Sequence, residues 1–155
     1  DLTTDLETIN YCNNRLLKNF PEPDMIVLLR PTSPLRNYKT IDSAINIFKK
    51  KMKKFTSLRS VELMPESSYK TFTVNKNNIL CAALNNSMDM DYYNKPRQFF
   101  PLTYKANGYI DIITPSFLKK DKSLYGKKSY AFITEPTIDV DSLYDLEMLK
   151  LKLKI

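Results

Sequence analysis

An unbroken apolar run, Met25 to Leu29, ends abruptly at the paired prolines Pro31 and Pro34. A run of this length bounded by turn signals reads as a strand covered on both faces, as in a parallel sheet. The prolines stiffen a turn at the strand's carboxyl end, the edge where open α/β sheets bind ligands. Before it, Thr4 to Phe20 places Leu6, Ile9, Leu16, Leu17 and Phe20 near one helical face. Thr4 and Glu7 form a capping box, and Pro21 and Pro23 stop the helix. After the turn, a second helix is expected from Thr40 to about Phe55. Ile41, Ala44, Ile45, Phe48 and Met52 should face inward and the lysines outward. Ser57 to Leu63 returns as a strand. Helix, strand, helix, strand is the rhythm of an α/β sheet.

The middle of the chain departs from that rhythm. Tyr69 to Val74 and Asn78 to Leu84 read as a hairpin, and Asn85 to Pro96 as a polar loop or extended arm. Strands follow at Asn107 to Ile112, entered through Gly108, and at Tyr130 to Thr134. Ser142 to Leu153 closes the sequence as an amphipathic helix, with Ser142 and Asp145 as its capping box. The whole, 1–155, reads as one domain with an insertion at about 64–100.

Composition removes several chemistries. The chain has no histidine, which excludes Ser-His-Asp and Cys-His sites and His-rich metal sites within it. Any metal must bind carboxylate oxygens, which suits magnesium. Cys12 and Cys81 are too few for a disulfide framework and read as reduced thiols of a cytoplasmic protein. No apolar run approaches a membrane span. The +7 charge favours anionic partners, but its clusters, Lys49 to Lys54 and Lys119 to Lys128, read as a solvated helix face and exposed loops. No aromatic-flanked pattern supports nucleic acid. With two glycines in 155 residues, the sequence has no Gly-rich phosphate loop.

Three short signals carry chemistry. In Leu28 to Arg36, Thr32 and Ser33 offer hydroxyls and amides while Arg30 and Arg36 bring positive charge; taken alone, this is equally a proline-stiffened turn. Pro96 to Ile112 brings Arg97 and Gln98 together with Asn107 and Gly108. An Arg grips a carboxylate with two parallel hydrogen bonds, yet a surface Arg and an Asn-Gly turn would look the same. Asp139 and Asp141, two apart in an extended segment, project together as hard donors for magnesium. Asp141 or Ser142 could equally cap the last helix.

The order of these signals is more specific than any one of them. The Leu28–Arg36 motif, Lys70, the Arg97-Gln98 to Asn107-Gly108 stretch, and Asp139/Asp141 before a terminal helix together resemble the acylneuraminate cytidylyltransferases, the CMP-sialic acid synthetases. The resemblance implies a nucleotidyltransferase-like, Rossmann-like α/β fold with a mainly parallel sheet and a small β-hairpin arm for a homodimer. It implies transfer of CMP from CTP to a nonulosonic acid, with release of pyrophosphate. Asp139 and Asp141 would then be the catalytic pair and the magnesium ligands, and Arg97 would hold the sugar carboxylate. Gln98, Asn107 and Gly108 would line the same pocket with Arg30, Thr32 and Ser33. Lys70 would serve the neighbouring subunit's site, and Tyr125 would lie beside the acyl group. Arg30 stands where the family commonly has Gln, and Asp111 where it often has Tyr, so a relative of sialic acid is as good a substrate. The family's opening strand and CTP-gripping loop have no counterpart here, so little or no turnover is expected of this chain alone. Alternatives are a catalytically silent dimerisation or sugar-acid-binding module, or a KDO-type cytidylyltransferase.

Overall fold

The structure, a computed structural model, describes residues 3–84 and 89–153, the side chains at 119–121 excepted. It divides into two compact units, residues 1–61 with 106–155, and residues 62–105.

The first unit is built on a four-stranded sheet in the order β1-β5-β2-β6, from β1 (Ile26–Leu28), β2 (Ser57–Leu63), β5 (Tyr104–Ile113) and β6 (Ser129–Ile133). The sheet is mixed: β1 pairs antiparallel with β5 and β2 pairs parallel with β6. The α/β class therefore holds, while the parallel pairing read from the apolar run at β1 does not. The run is apolar because alternate side chains enter two different cores. Met25 and Val27 pack under α2 (Tyr38–Lys51) with Ala44, Phe48, Leu58, Ile110 and Ile112. Ile26 and Leu28 pack on the other side with Ile9 of α1 (Asp5–Leu16), Ile113, and Leu118 of α3 (Pro115–Asp121). Because β1 stands at the end of the sheet order, its residues are half-buried rather than fully enclosed.

Local signals explain the helix ends. Thr4 and Glu7 close the expected capping box on α1, but the helix ends at Leu16, leaving Leu16 and Phe20 exposed. Asn37 caps α2 through Lys39 N, and the inward face is the one expected, with Ala44 and Phe48 fully buried. The lysine-rich end of α2 is solvated, apart from Lys51 over the Tyr130 ring. Helix α3 replaces part of an expected loop, since Pro115 suits a first helical turn, where its missing N–H costs nothing. The last helix, α4 (Leu143–Leu153), has the Ser142–Asp145 capping pair. It is not amphipathic as expected: Leu149 is buried while Leu143, Tyr144 and Leu151 stay exposed on its other sides.

The second unit carries the hairpin, β3 (Phe72–Val74) against β4 (Leu80–Ala82), shorter than the sequence suggested. Asn75 accepts from the amides of Asn77 and Ile79, and Asn78 takes a positive φ, so side-chain chemistry replaces the missing Asn-Gly pair. A short 3-10 turn at Met90–Asn94 occupies part of the expected loop, whose residues 85–88 lie outside the described set. Cys12 and Cys81 are free thiols. Among the described residues, no helix is long and apolar enough to cross a membrane.

Phe48 is the largest side chain buried completely between α2 and the sheet. Phe48→Ala should therefore lower unfolding stability by about 3–5 kcal/mol, read as a shift of the denaturation midpoint at unchanged slope.

Candidate functional site

The site grows from the turn that follows β1. Arg36 donates to the main-chain carbonyls of Arg30, Ser33, Gly108 and Tyr109. Those four bonds close the turn on itself and tie it to β5. Arg36, expected to offer charge to a ligand, is thus consumed by backbone oxygens. The Tyr109 hydroxyl adds a further tie by accepting from the amide of Asn37 at 2.6 Å.

Gly108 interrupts β5 at a φ of +65°, a conformation L side chains rarely adopt. A Cβ there would lie 2.9 Å from Arg30 Cδ and 3.5 Å from both Ser33 Oγ and Asp139 Oδ2. The missing side chain lets the strand come close to all three residues. Asn107 fixes the kink from within: buried, it donates to Thr134 Oγ1 at 2.7 Å and accepts from Tyr109 N at 3.3 Å. The segment carrying the aspartates is stitched to the same turn. Val140 N donates to the Thr32 carbonyl at 2.8 Å, and Ser33 Oγ donates to Asp139 Oδ1 at 3.4 Å.

The result is an open cleft of about 590 Å³, within the range of small-ligand sites. Arg30, Thr32, Gly108, Asp139 and Asp141 line it, together with Asp5, Arg59 and Leu28. Ser33 touches the site through Asp139, whereas Asn107 does not line the cleft. Lys70, Arg97 and Gln98 belong to the second unit. There Lys70 Nζ donates to the Lys95 carbonyl at 3.2 Å, exposed Arg97 donates to the Met64 carbonyl at 3.3 Å, and Gln98 is exposed.

The charges beside the cleft form a chain. Arg30 makes two bonds to Asp5, at 2.5 and 3.2 Å, and stands 3.6 Å from Asp111. Asp111 is 2% exposed on β5, so its carboxylate must be compensated locally. Tyr125 donates to its Oδ2 at 2.9 Å, and Arg59 Nε lies 3.7 Å from its Oδ1. Burial still pushes the Asp111 carboxyl above the usual carboxylate range, against the Tyr125 bond and the two guanidiniums. Burial and the facing carboxylate push the Tyr125 phenol up to about 12, so it remains a donor at neutral pH. The Arg59 guanidinium sits over the Tyr125 ring at 4.4 Å.

Asp5, Arg59 and the anchoring part of Asp111 are the residues that motif reading passed over. No clear signal for them exists in the sequence: β2 also carries Glu62 and β5 also carries Lys105 and Asn107, so the pairing of Arg59 with Asp111 emerges only in three dimensions. The donor set also fits magnesium. Of the three aspartates lining the cleft, Asp5 is taken by Arg30, which leaves Asp139 and Asp141; among the described residues no group of three or more His, Cys, Asp or Glu gathers that could hold a metal ion. Magnesium is commonly held by one or two carboxylates, with water and substrate phosphates completing its shell.

Comparison with known proteins agrees with the motif order. The chain is 28% identical over 152 residues to CMP-N,N'-diacetyllegionaminic acid synthase of Legionella pneumophila, covering 94% of this chain. It spans 62% of that relative's length. The resemblance to sugar-acid cytidylyltransferases is thereby borne out. Two solved structures show the fold. CMP:2-keto-3-deoxy-manno-octonic acid synthetase complexed with CTP matches with a TM-score of 0.59 at 13% identity, over 94% of this chain and 67% of that one. The 4-diphosphocytidyl-2C-methyl-D-erythritol synthase of Anaerococcus prevotii matches with 0.61 at 10% identity, over 99% and 68%. No protein-family model matches the chain.

Arg36→Lys keeps the charge, but one ammonium cannot serve four carbonyls spread over the turn and β5. A loss of about 2–4 kcal/mol is expected in denaturant unfolding.

Proposed function

We propose that this chain forms the acceptor and metal side of a cytidylyltransferase site that joins CMP from CTP to a nonulosonic acid and releases pyrophosphate. The observation that carries the reading is the pairing of Asp139 and Asp141 on one cleft with the Arg30–Arg36 turn and Gly108. The Legionella relative, by its name, makes the CMP conjugate of N,N'-diacetyllegionaminic acid, and that acid or a close relative is the acceptor proposed here. The anomeric hydroxyl forms a bond to the α-phosphorus of CTP as the bond to the β-phosphate breaks. Asp139 or Asp141 takes the hydroxyl proton.

Asp139 and Asp141 would hold magnesium, which supplies charge neutralisation at the transferring phosphate when bound. Ser33 keeps Asp139 in place by its hydroxyl bond, and the Val140–Thr32 contact prevents the segment from drifting off the turn. Gly108 leaves the room that a ligand needs between Arg30 and Asp139. Arg97, Gln98 and Lys70 keep the roles the motif resemblance implies, Arg97 and Gln98 toward a sugar acid and Lys70 with the hairpin toward a homodimer. That acidic sugars and nucleotides are anionic also accounts for the +7 charge without nucleic acid.

The test is calorimetric titration of the folded chain with N,N'-diacetyllegionaminic acid and with its CMP conjugate, with and without magnesium. Magnesium should strengthen binding of the conjugate. Asp139→Asn and Asp141→Asn should each weaken the magnesium-dependent part at least tenfold and leave the melting temperature within a few degrees. No binding of either compound at millimolar concentration, or a metal effect that survives both substitutions, would sink the reading.

A further inference from the structure

Two guanidinium groups line the cleft, and they are in different states. Arg30 is occupied: Asp5 takes two of its donors in a fork-to-fork pair, and Asp111 stands beside it. Arg59 is positioned but not satisfied. Its Nε is buried with no hydrogen-bond partner, and the nearest carboxylate oxygen, Asp111 Oδ1, is 3.7 Å away and likewise without a hydrogen bond. Among the described residues no oxygen accepts a hydrogen bond from Arg59, although its side chain is only 37% exposed.

The surroundings hold this guanidinium still. One face rests over the Tyr125 ring. That ring is fixed at its far end by the hydroxyl bond to Asp111. Its backbone is fixed as well, because the Tyr125 carbonyl accepts from both Thr56 Oγ1, at 2.5 Å, and Ser57 Oγ, at 2.7 Å. Gly126 permits that approach: at a φ of +67°, a Cβ would lie 2.7 Å from Thr56 Oγ1. A guanidinium held over an aromatic ring, lining a ligand cleft and donating no hydrogen bond to a described residue, presents a fork suited to a planar anion with two oxygens.

We propose that Arg59 is a specificity-determining anchor that grips the carboxylate of the acceptor sugar acid, held in register by Tyr125 and Asp111. This rests on the function proposed above and deepens it. A nucleotide phosphate offers similar oxygens, so the test must tell the two apart.

The wild-type chain and the Arg59→Lys and Arg59→Gln variants are titrated with three probes: N,N'-diacetyllegionaminic acid, its C1 carboxamide, and CMP with magnesium. Wild type should prefer the acid over the uncharged amide by at least tenfold. Arg59→Gln should reduce that preference to less than twofold while leaving CMP binding unchanged. Arg59→Lys retains charge and stem but not the fork, and should keep only part of the preference. A purely structural Arg59 would alter stability without changing the acid-to-amide ratio. The proposal is overturned if the preference survives in Arg59→Gln, or if the loss falls on CMP instead. If wild type binds the acid and the amide equally, Arg59 is no carboxylate anchor, while the functional reading stands on its own magnesium test. If wild type binds neither, both fall together. Should Arg59→Gln fail to fold, Arg59→Lys gives the same ratio with the charge beside Asp111 intact.

Discussion

Arg36 and the four carbonyls it bridges are the constraint on which the cleft depends. A turn with two prolines has few amides of its own with which to satisfy its carbonyls, and Pro31 and Pro34 contribute none. A planar guanidinium with five donors can bind several oxygens at once where an ammonium cannot. With the turn bound to the kink at Gly108, the Asp139 segment has a fixed edge to lie against, and the Thr32 carbonyl and Ser33 hydroxyl supply its contacts. The cleft aspartates Asp139 and Asp141 therefore owe their position to a residue that presents no free charge to the cleft.

The second organising element is electrostatic. Asp111 is buried in β5 directly across from Leu28 of β1, a place where a carboxylate is costly unless compensated. Tyr125, Arg30 and Arg59 compensate it together, at 2.9, 3.6 and 3.7 Å. The burial cost is therefore turned to use. It orients two arginines, one closed by Asp5 and the other left open. The two departures that set this sequence apart from sialic acid enzymes, Arg30 and Asp111, are thus members of one cluster rather than independent changes.

Much of this was legible in the sequence, for identifiable reasons. The inward face of α2 follows from helical spacing, and β2 was expected over Ser57–Leu63; both appear with the expected residues. Strand β1 was found but its direction was not, because an apolar run records covered faces and carries no information about which neighbour supplies the hydrogen bonds. Helix α3 was hidden by the lysines that follow it, whereas α4 was expected with its capping pair and only its burial pattern differs. At the site, the turn and the aspartate pair stood out because their chemistry is written in adjacent residues. Arg59 and Asp5 were invisible for the opposite reason: each gains its meaning from a partner far along the chain, Asp111 and Arg30.

The Tyr125 carbonyl, held by Thr56 and Ser57, has one more consequence. The ring beneath Arg59 inherits its position from the start of β2, not from the chain segment that leads up to it out of α3. Substitutions in that segment that spare Leu118 and Leu124, which pack in the core, should leave the aromatic platform in place. The cleft can then acquire different neighbours around an unchanged arginine.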